Sequence, residues 1–597
     1  MKYIKSFIIG CIAISLVGCN KFLDRPALSE VTDPVAWTSE VNLRLYVNKY
    51  YSDYFPGYGL GFNYSGSALM DYQFSDDVFL MGNQGNFSRS VPNSGSWNYG
   101  NVRSINIMIS RMKERMTGIL PEEAFNHWMG IGRFFRGLEF SELATRYGDV
   151  PYYDDIVSDI DKDALYKPRT PRNEVMDHVY DDFKFALDNV RASDGDQYLN
   201  KFSVAGYVSR AALSEGSWQK YYYNNTGRAN KFFELAVEAA NMVMTSGKYD
   251  IVTDFRTLFT SNTLAGNRDV VLYRHYDAGA GIKHAVASNN NLSESVAFGP
   301  TTDLIKSFIC VDGKAWQNSA EADATDFTLS NMIKTRDSRL EASFYEKPIN
   351  KNRASYWYIN KFLPRNIADD VASGKNPPAE FSGANNETDY PVFRYAEALL
   401  NWIEAKAELG NVSQGDIDRS INKIRNRPLA AAAVAKGVKK TAPMDLAMLP
   451  SDPARDAGVS QLLWEIRRER RMEFAFEYGR FADLKRWKKL DHMDTDLNPD
   501  LLSGGWVNFP DELPGELVPA KQGVISVVDM TKNIIVYNGS NKAAMKGFYR
   551  GTNTGSRIPF LNLPNVNPYL SPIGKTVIDD YKSKGYELKQ TEGWPQD

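Results

Sequence analysis

Phe125, Trp128, Ile131, Phe135 and Leu138 recur three or four positions apart, a spacing that puts them on one face of an α-helix. The same period predicts helices through much of the first half of the chain. One opens at the N-cap pair Asp33-Pro34 and runs to about Asp53, and two lie across 102–148, facing each other over Gly118–Pro121. Others run from Pro171 to about Ala192, over 202–220 and over 229–246. Gly130, Gly132 and Gly137 sit inside the second helix of the pair, where each costs about 0.5–1 kcal/mol relative to alanine. Close approach of a neighbouring helix is the reason to keep them.

Further on, Phe393–Leu409 carries Ala396, Leu399, Leu400, Ile403 and Ala407 along one side and closes at Gly410-Asn411. Ser413 and Asp416 have the spacing of a capping box for a helix to about Asn426, and 461–487 reads as helical again. Val524–Val528 and Asn533–Tyr537 predict a small hairpin. Periodicity fails over 56–100, where eight glycines mix with Asn, Ser and scattered aromatics, more loop than a connection requires. Residues 250–390 are mixed, with short apolar runs such as Val270–Tyr273. The expectation is a mainly α protein of paired helices under a loop-rich cap, with minor β hairpins.

The first residues follow a different logic. Lys2 and Lys5 precede an apolar run of eleven residues, Phe7–Val17, too short to span a bilayer and about right for the core of a signal peptide. Leu16-Val17-Gly18-Cys19 resembles a bacterial lipobox, so residues 1–18 are expected to be removed and Cys19 to carry acyl chains. Cys11 leaves with the signal and Cys310 then stands alone, so neither a disulfide framework nor a cysteine-based metal site can be built. Cys310 lies in an apolar run and is expected to be a buried, inert thiol. A net charge of −3 with both signs interspersed argues against nucleic acid as a partner.

Catalysis leaves no signature. His127, His178, His275, His284 and His492 stand in no ligand spacing, and there is no nucleophile elbow, phosphate-binding loop or dinucleotide fingerprint. Binding requires less: a concavity, an aromatic face or two and a few fixed polar groups. The loop-rich stretches carry these. Asp71, Asp76, Asp77, Trp97 and Asn98 form one candidate set, and Tyr276, His284 and Asn290 a second. Trp316 and Trp357 stand in two further stretches. Each has a plainer alternative. Trp97 can be core, Asp76 and Asp77 caps or ion pairs, Asn289–Asn291 a turn, and Trp357 an inward residue of a strand.

Several blocks resemble one family. Cys19-Asn20-Lys21-Phe22-Leu23-Asp24 is similar to the start of the SusD/RagB family of outer-membrane nutrient-binding lipoproteins. Arg133–Leu138 followed by Tyr147–Pro151 resembles its N-terminal block, and Arg336–Leu340 a shorter one. Arg394–Leu400 with Glu404–Gly410, then Glu469–Arg471 through Glu473, Glu477 and Arg480 to Trp487, resemble two more. Ser571–Gly574 through Tyr581 to Trp594 looks like the closing segment. The resemblance implies tetratricopeptide-like helix pairs, with an N-terminal region over 19–260 and a C-terminal region over 261–597 packed as one unit. It also implies a cell-surface, glycan-binding lipoprotein; the residues themselves ask for no catalytic site, cofactor or metal ligand set, and whether a structural metal is bound stays open. The lipoprotein's partner would be a SusC-like TonB-dependent transporter, to which it delivers oligosaccharide. A peptide-binding member of the family and a helical scaffold are the alternatives. Charged motif residues such as Arg133, Arg136, Arg394, Glu397, Arg470, Glu473 and Arg480 are expected to form ion pairs between helices.

Overall fold

The computed structural model describes residues 36–58, 62, 75–80, 90–95, 97–291, 298–350, 355–477, 479–551 and 563–596. The signal segment, Cys19, the Asp33-Pro34 pair and Asp71 lie outside the described residues. Asn290 is placed only by its backbone, in the short helix Val286–Asn291.

The helical half is close to expectation. It contains α1 (Glu40–Tyr54), α2 (Gly100–Arg111), α3 (Glu122–Tyr147), α4 (Arg172–Asn189), α5 (Lys201–Tyr221) and α6 (Thr226–Met244). Consecutive helices pack as neighbours, α3 on α4 and α5 on α6, and α7 (Tyr395–Glu408) lies against α5 and α6. The glycines of α3 mark where its neighbours come closest. A Cβ on Gly137 would stand 2.6 Å from the Phe183 ring of α4, and one on Gly132 would stand 3.2 Å from Ile109 of α2. The ring of Phe183 occupies the volume that any side chain at 137 would need.

Three boundaries differ from the sequence expectation. Phe393 and Arg394 belong to a strand, because β2 (Val270–Arg274) supplies an antiparallel partner for β4 (Tyr390–Arg394) before α7 begins. The 461–487 run breaks into α8 (Gln461–Phe474) and α9 (Arg480–Arg486), with positive φ at Phe476 (63°) and Gly479 (123°). The Ser413–Asp416 capping box forms, yet its helix stops at Arg419 and restarts as Ile421–Arg425. The hairpin is β6 (Ile525–Val528) with β7 (Ile534–Val536), and it extends into an antiparallel sheet of order β5-β8-β6-β7, with β5 at Trp506–Asn508 and β8 at Lys546–Gly551. A further pair joins β1 (Val78–Leu80) to β3 (Phe298–Pro300), linking the early loop region to the second half.

The largest apolar core threads α1 to α7 and takes in Val271, Leu272, Val392 and Phe393, so it draws on both sides of position 260. A second core gathers Phe308, Phe344, Trp357 and Phe476, and a third backs the four-stranded sheet. Cys310 is fully buried, and burial pushes its thiol pKa up.

The motif charges fasten helices to one another. Arg133 and Arg136 both reach Asp182, Arg210 grips Glu397, and Arg470 pairs with Asp483 at 2.7 Å. Arg394 spans Glu473 and Glu477, while Arg339 and Arg427 meet Glu473 from other sides. Removing one partner would leave the other charge buried and uncompensated, which is why such networks hold an arrangement even where their net stabilisation is modest.

Candidate functional site

Helical spacing builds the site. Trp464, Arg467, Arg468 and Arg471 recur at three- and four-residue intervals and so share one face of α8, opposite the buried Ile466. That face forms a wall of a cavity of about 530 Å³. Trp487, just past α9, and the short turns over 490–502 add a second wall with His492 and Asn498. A third comes from the helix Thr302–Ser307 and from Trp316.

The polar groups are fixed in place. Trp464 donates its indole N–H to Asp452 at 2.7 Å, leaving its half-buried ring against the cavity and 6.4 Å from the His492 ring. Asp303 is held by Arg471 at 2.7 Å and by the Asn498 amide at 2.8 Å, and Lys306 pairs with Asp500 at 2.7 Å. Trp487 is buried, with the Arg467 guanidinium 4.5 Å above its ring centre. Trp316 is half-buried, edge-on to Phe327 at 5.2 Å. Burial lowers the His492 pKa.

Asp456, Asp491 and His492 each bring one ligand-type atom to within 4.8 Å of the others, the one such group of three among the described residues. Lys489 already sits on Asp456. Although burial opposes it, the Lys489 and Gly458 hydrogen bonds hold that carboxyl below its ordinary range. An ammonium therefore competes for the position a cation would take.

Of the residues named from the sequence as candidate ligand contacts, only Trp316 lines this cavity among those described, although the motif residues Arg471, Arg480 and Trp487 line it too. Asn98 is exposed at a separate recess of about 190 Å³ beside Glu139 and Glu142, where its carbonyl accepts the Gly100 N–H at 2.8 Å. Trp97 is half-buried, 4.9 Å from the Tyr147 ring, and belongs to the helical core's edge.

The others correct the expectation of exposed ligand contacts. Trp357 is fully buried, its N–H given to the Trp506 carbonyl at 2.9 Å, in a space that exists because Gly505 has no side chain. Tyr276 is buried and donates to the Gly57 carbonyl at 2.6 Å. His284 is buried too, with Nε2 on the Thr388 carbonyl at 2.8 Å, and burial pulls its pKa down to about 4. Asp76 and Asp77 lie behind the cavity wall, paired with Arg480 and Arg471. Burial alone would raise the Asp76 carboxyl, but the Arg471 and Arg480 charges outweigh it and hold it well below the usual range.

The sequence carried a signal for the missed wall: a Trp followed by arginines at +3, +4 and +7. It is easily taken for the solvated side of an amphipathic helix, since nothing local says that a cavity faces it.

Comparison with known proteins bears on the whole chain. A sequence model of the SusD family matches residues 262–594, taking in the motifs from Arg336 to Trp594. SusD-like protein P2 of Formosa agariphila is 24% identical over 369 residues, 60% of this chain and 64% of that one. A SusD-like protein of Bacteroides ovatus is 22% identical over 404 residues, 66% of this chain and 65% of that one. The chain thus spans just under two thirds of the length of these curated relatives. A solved SusD-like carbohydrate binding protein from Bacteroides fragilis superposes with a TM-score of 0.60 at 18% identity, covering 91% of this chain and 98% of its own. The match covers more than half of the sequence, and the superposition covers nearly all of the fold. The superposition shows a shared fold, and on the sequence match this chain belongs to the SusD family.

Proposed function

We propose that this protein captures oligosaccharide in the α8–α9 cavity and passes it to a TonB-dependent outer-membrane transporter, held at the cell surface by acyl chains on Cys19. The observation that carries the reading is the pairing of two half-open indole rings, Trp464 and Trp316, with carboxylate and amide groups already oriented around them. Sugars offer C–H faces to such rings and hydroxyls to such acceptors, and a cavity of about 530 Å³ has the size of a small-ligand site. A related solved structure is described as carbohydrate binding, which supports the same class of ligand.

Binding without turnover fits the chemistry of the wall. Glycoside hydrolysis needs one carboxyl kept protonated opposite another that is ionised. Here Asp452, Asp303, Asp500 and Asp456 are each held in an ion pair with a cation of the wall, Arg468, Arg471, Lys306 and Lys489 respectively. An opposite charge at that range favours the ionised form of a carboxyl.

The test is titration calorimetry with a panel of oligosaccharides and peptides on the native protein and on Trp464→Ala and Trp316→Ala. Each variant should lose at least tenfold in oligosaccharide affinity while remaining folded. Peptide binding alone, or unchanged affinity in both variants, overturns the reading. Cys19→Ala should release the protein from the outer-membrane fraction, and mild-detergent purification of the native form should recover a barrel.

A further inference from the structure

The cavity does not end at Trp487. Val459, Arg467, Trp487 and Lys489 also line an adjoining recess of about 490 Å³, bounded on its far side by Lys220 and Tyr221 of α5. One groove therefore runs from Trp316 past Trp464 and Trp487 to α5, and its two ends differ in charge.

At the Trp464 end, opposite charges neutralise each other. Arg468 pairs with Asp452, Arg471 with Asp303 and Asp77, Arg480 with Asp76, and Lys306 with Asp500, and Lys532 lines the same end, so five cations stand against five carboxylates. At the α5 end four cations line the recess, Lys220, Arg467, Lys488 and Lys489, and no acidic side chain does. Behind them stand two carboxylates. Glu408 takes Lys220 at 2.6 Å and Arg467 at 3.5 Å together, and Asp456 takes Lys489. Among the described residues Lys488 has no carboxylate partner. It is exposed, held at φ 58°, and stands 5.2 Å from the Tyr222 ring. With Asp491 beside Asp456, three carboxylates face four cations, and one positive charge, that of Lys488, is left over at one end of an otherwise balanced groove, close to water yet beside a half-buried aromatic ring, where a charge is screened less than on an open face.

Resting on the reading of the groove as a glycan site, we propose that its ligand is an acidic oligosaccharide, with a carboxylate or sulfate ester seated at Lys488 and Lys489 and an uncharged sugar ring against Trp464. The carboxylate of a uronic acid and the oxygens of a sulfate ester make the same charge-assisted hydrogen bonds to ammonium groups.

Three hexasaccharides separate the possibilities: an oligogalacturonate, a sulfated galactan fragment and a neutral galactan fragment. Calorimetry at low salt should show one acidic ligand bound at least tenfold more tightly than the neutral one, with the advantage shrinking as NaCl is raised. Which acidic ligand wins identifies the anion. Lys488→Gln should reduce the acidic-to-neutral affinity ratio several-fold, and Lys488→Glu should reduce it further. Equal affinity for acidic and neutral ligands overturns the charge preference and leaves glycan binding standing. A preference that survives both Lys488 variants overturns the location. If none of the three binds and a broader glycan panel also fails, the glycan reading itself falls.

Discussion

Arg480 closes on Asp76 with two hydrogen bonds, Nε at 2.7 Å and Nη2 at 2.6 Å, across 404 positions of sequence. Both side chains are buried, and Arg471 completes the group through Asp77 at 2.7 Å. Asp76→Ala leaves two buried guanidiniums with one carboxylate fewer. A loss of about 3–5 kcal/mol is expected, measured by urea unfolding. Oligosaccharide affinity of the folded variant should stay within about twofold, since Asp76 lies behind the wall and meets the groove only through Arg471 and Arg480, and Asp77 and Asp303 still hold Arg471. A stability loss below about 1 kcal/mol with a collapse in affinity would restore Asp76 as a ligand contact.

Two glycine-to-alanine changes should move stability in opposite directions. Gly137→Ala forces a methyl to within 2.6 Å of the Phe183 ring at the α3–α4 contact and should cost about 1–3 kcal/mol. Gly227→Ala, in the first turn of α6, meets nothing nearer than 3.9 Å and should gain up to about 1 kcal/mol from helix propensity. Thermal melts of the two variants check the pair.

Glu465 gives a pH dependence with a definite sign. Burial, opposed by Arg468 and Arg425, raises its carboxyl from 4.5 to about 7. The folded chain therefore keeps a proton that the unfolded chain releases, so this residue's contribution to stability falls as pH rises from about 4.5 to about 7. Glu465→Gln removes the cost of ionising it. The variant should be more stable than the parent at pH 8, by roughly 3 kcal/mol at about 1.36 kcal/mol per pKa unit. The two should converge near pH 4.5. A variant less stable at pH 8 would mean that the 3.1 Å approach of Arg468 outweighs the burial.

Trp357→Ala should behave as a core deletion. Its ring packs on Phe344 at 5.2 Å and it is fully buried, so a loss of about 3–5 kcal/mol is expected with little direct effect on ligand affinity. Trp316, edge-on to Phe327 but half-open, should show the reverse balance. Comparing melting temperature with affinity for both variants distinguishes a core ring from a platform.

The helices were legible because their evidence is local: period, caps and the glycines of α3 all lie within a few residues of what they specify. The Ser413–Asp416 box forms as its spacing implies. Phe393 was misplaced because its strand partner, Leu272, is distant in sequence and only tertiary pairing assigns it. The site was harder for the same reason. An aromatic residue in a loop-rich stretch reads as available, but whether Trp357 is covered depends on Gly505 and Trp506, and whether Trp464 faces a cavity depends on Trp316 and His492. Asp76 and Asp77 look like free acids until Arg471 and Arg480 arrive from the far end of the chain.

The Asp76–Arg480 contact is one of several stitches between early and late segments. Lys575 and Thr576 donate backbone hydrogen bonds to Pro92 and Asn93 at 3.0 and 2.9 Å, and Ser571 donates to Arg146 at 2.7 Å. A protease that cuts the exposed turn at Ile160, a residue 88% open to solvent, should sever the polypeptide without freeing either piece. The amino-terminal fragment stays seated through the packing of α3 on α4, the Arg136–Asp182 pair and the stitches from the carboxyl end. Scission there yields a nicked molecule whose fragments travel together until denatured. Its endurance under proteolysis is set by the cohesion of the whole rather than by the continuity of its backbone.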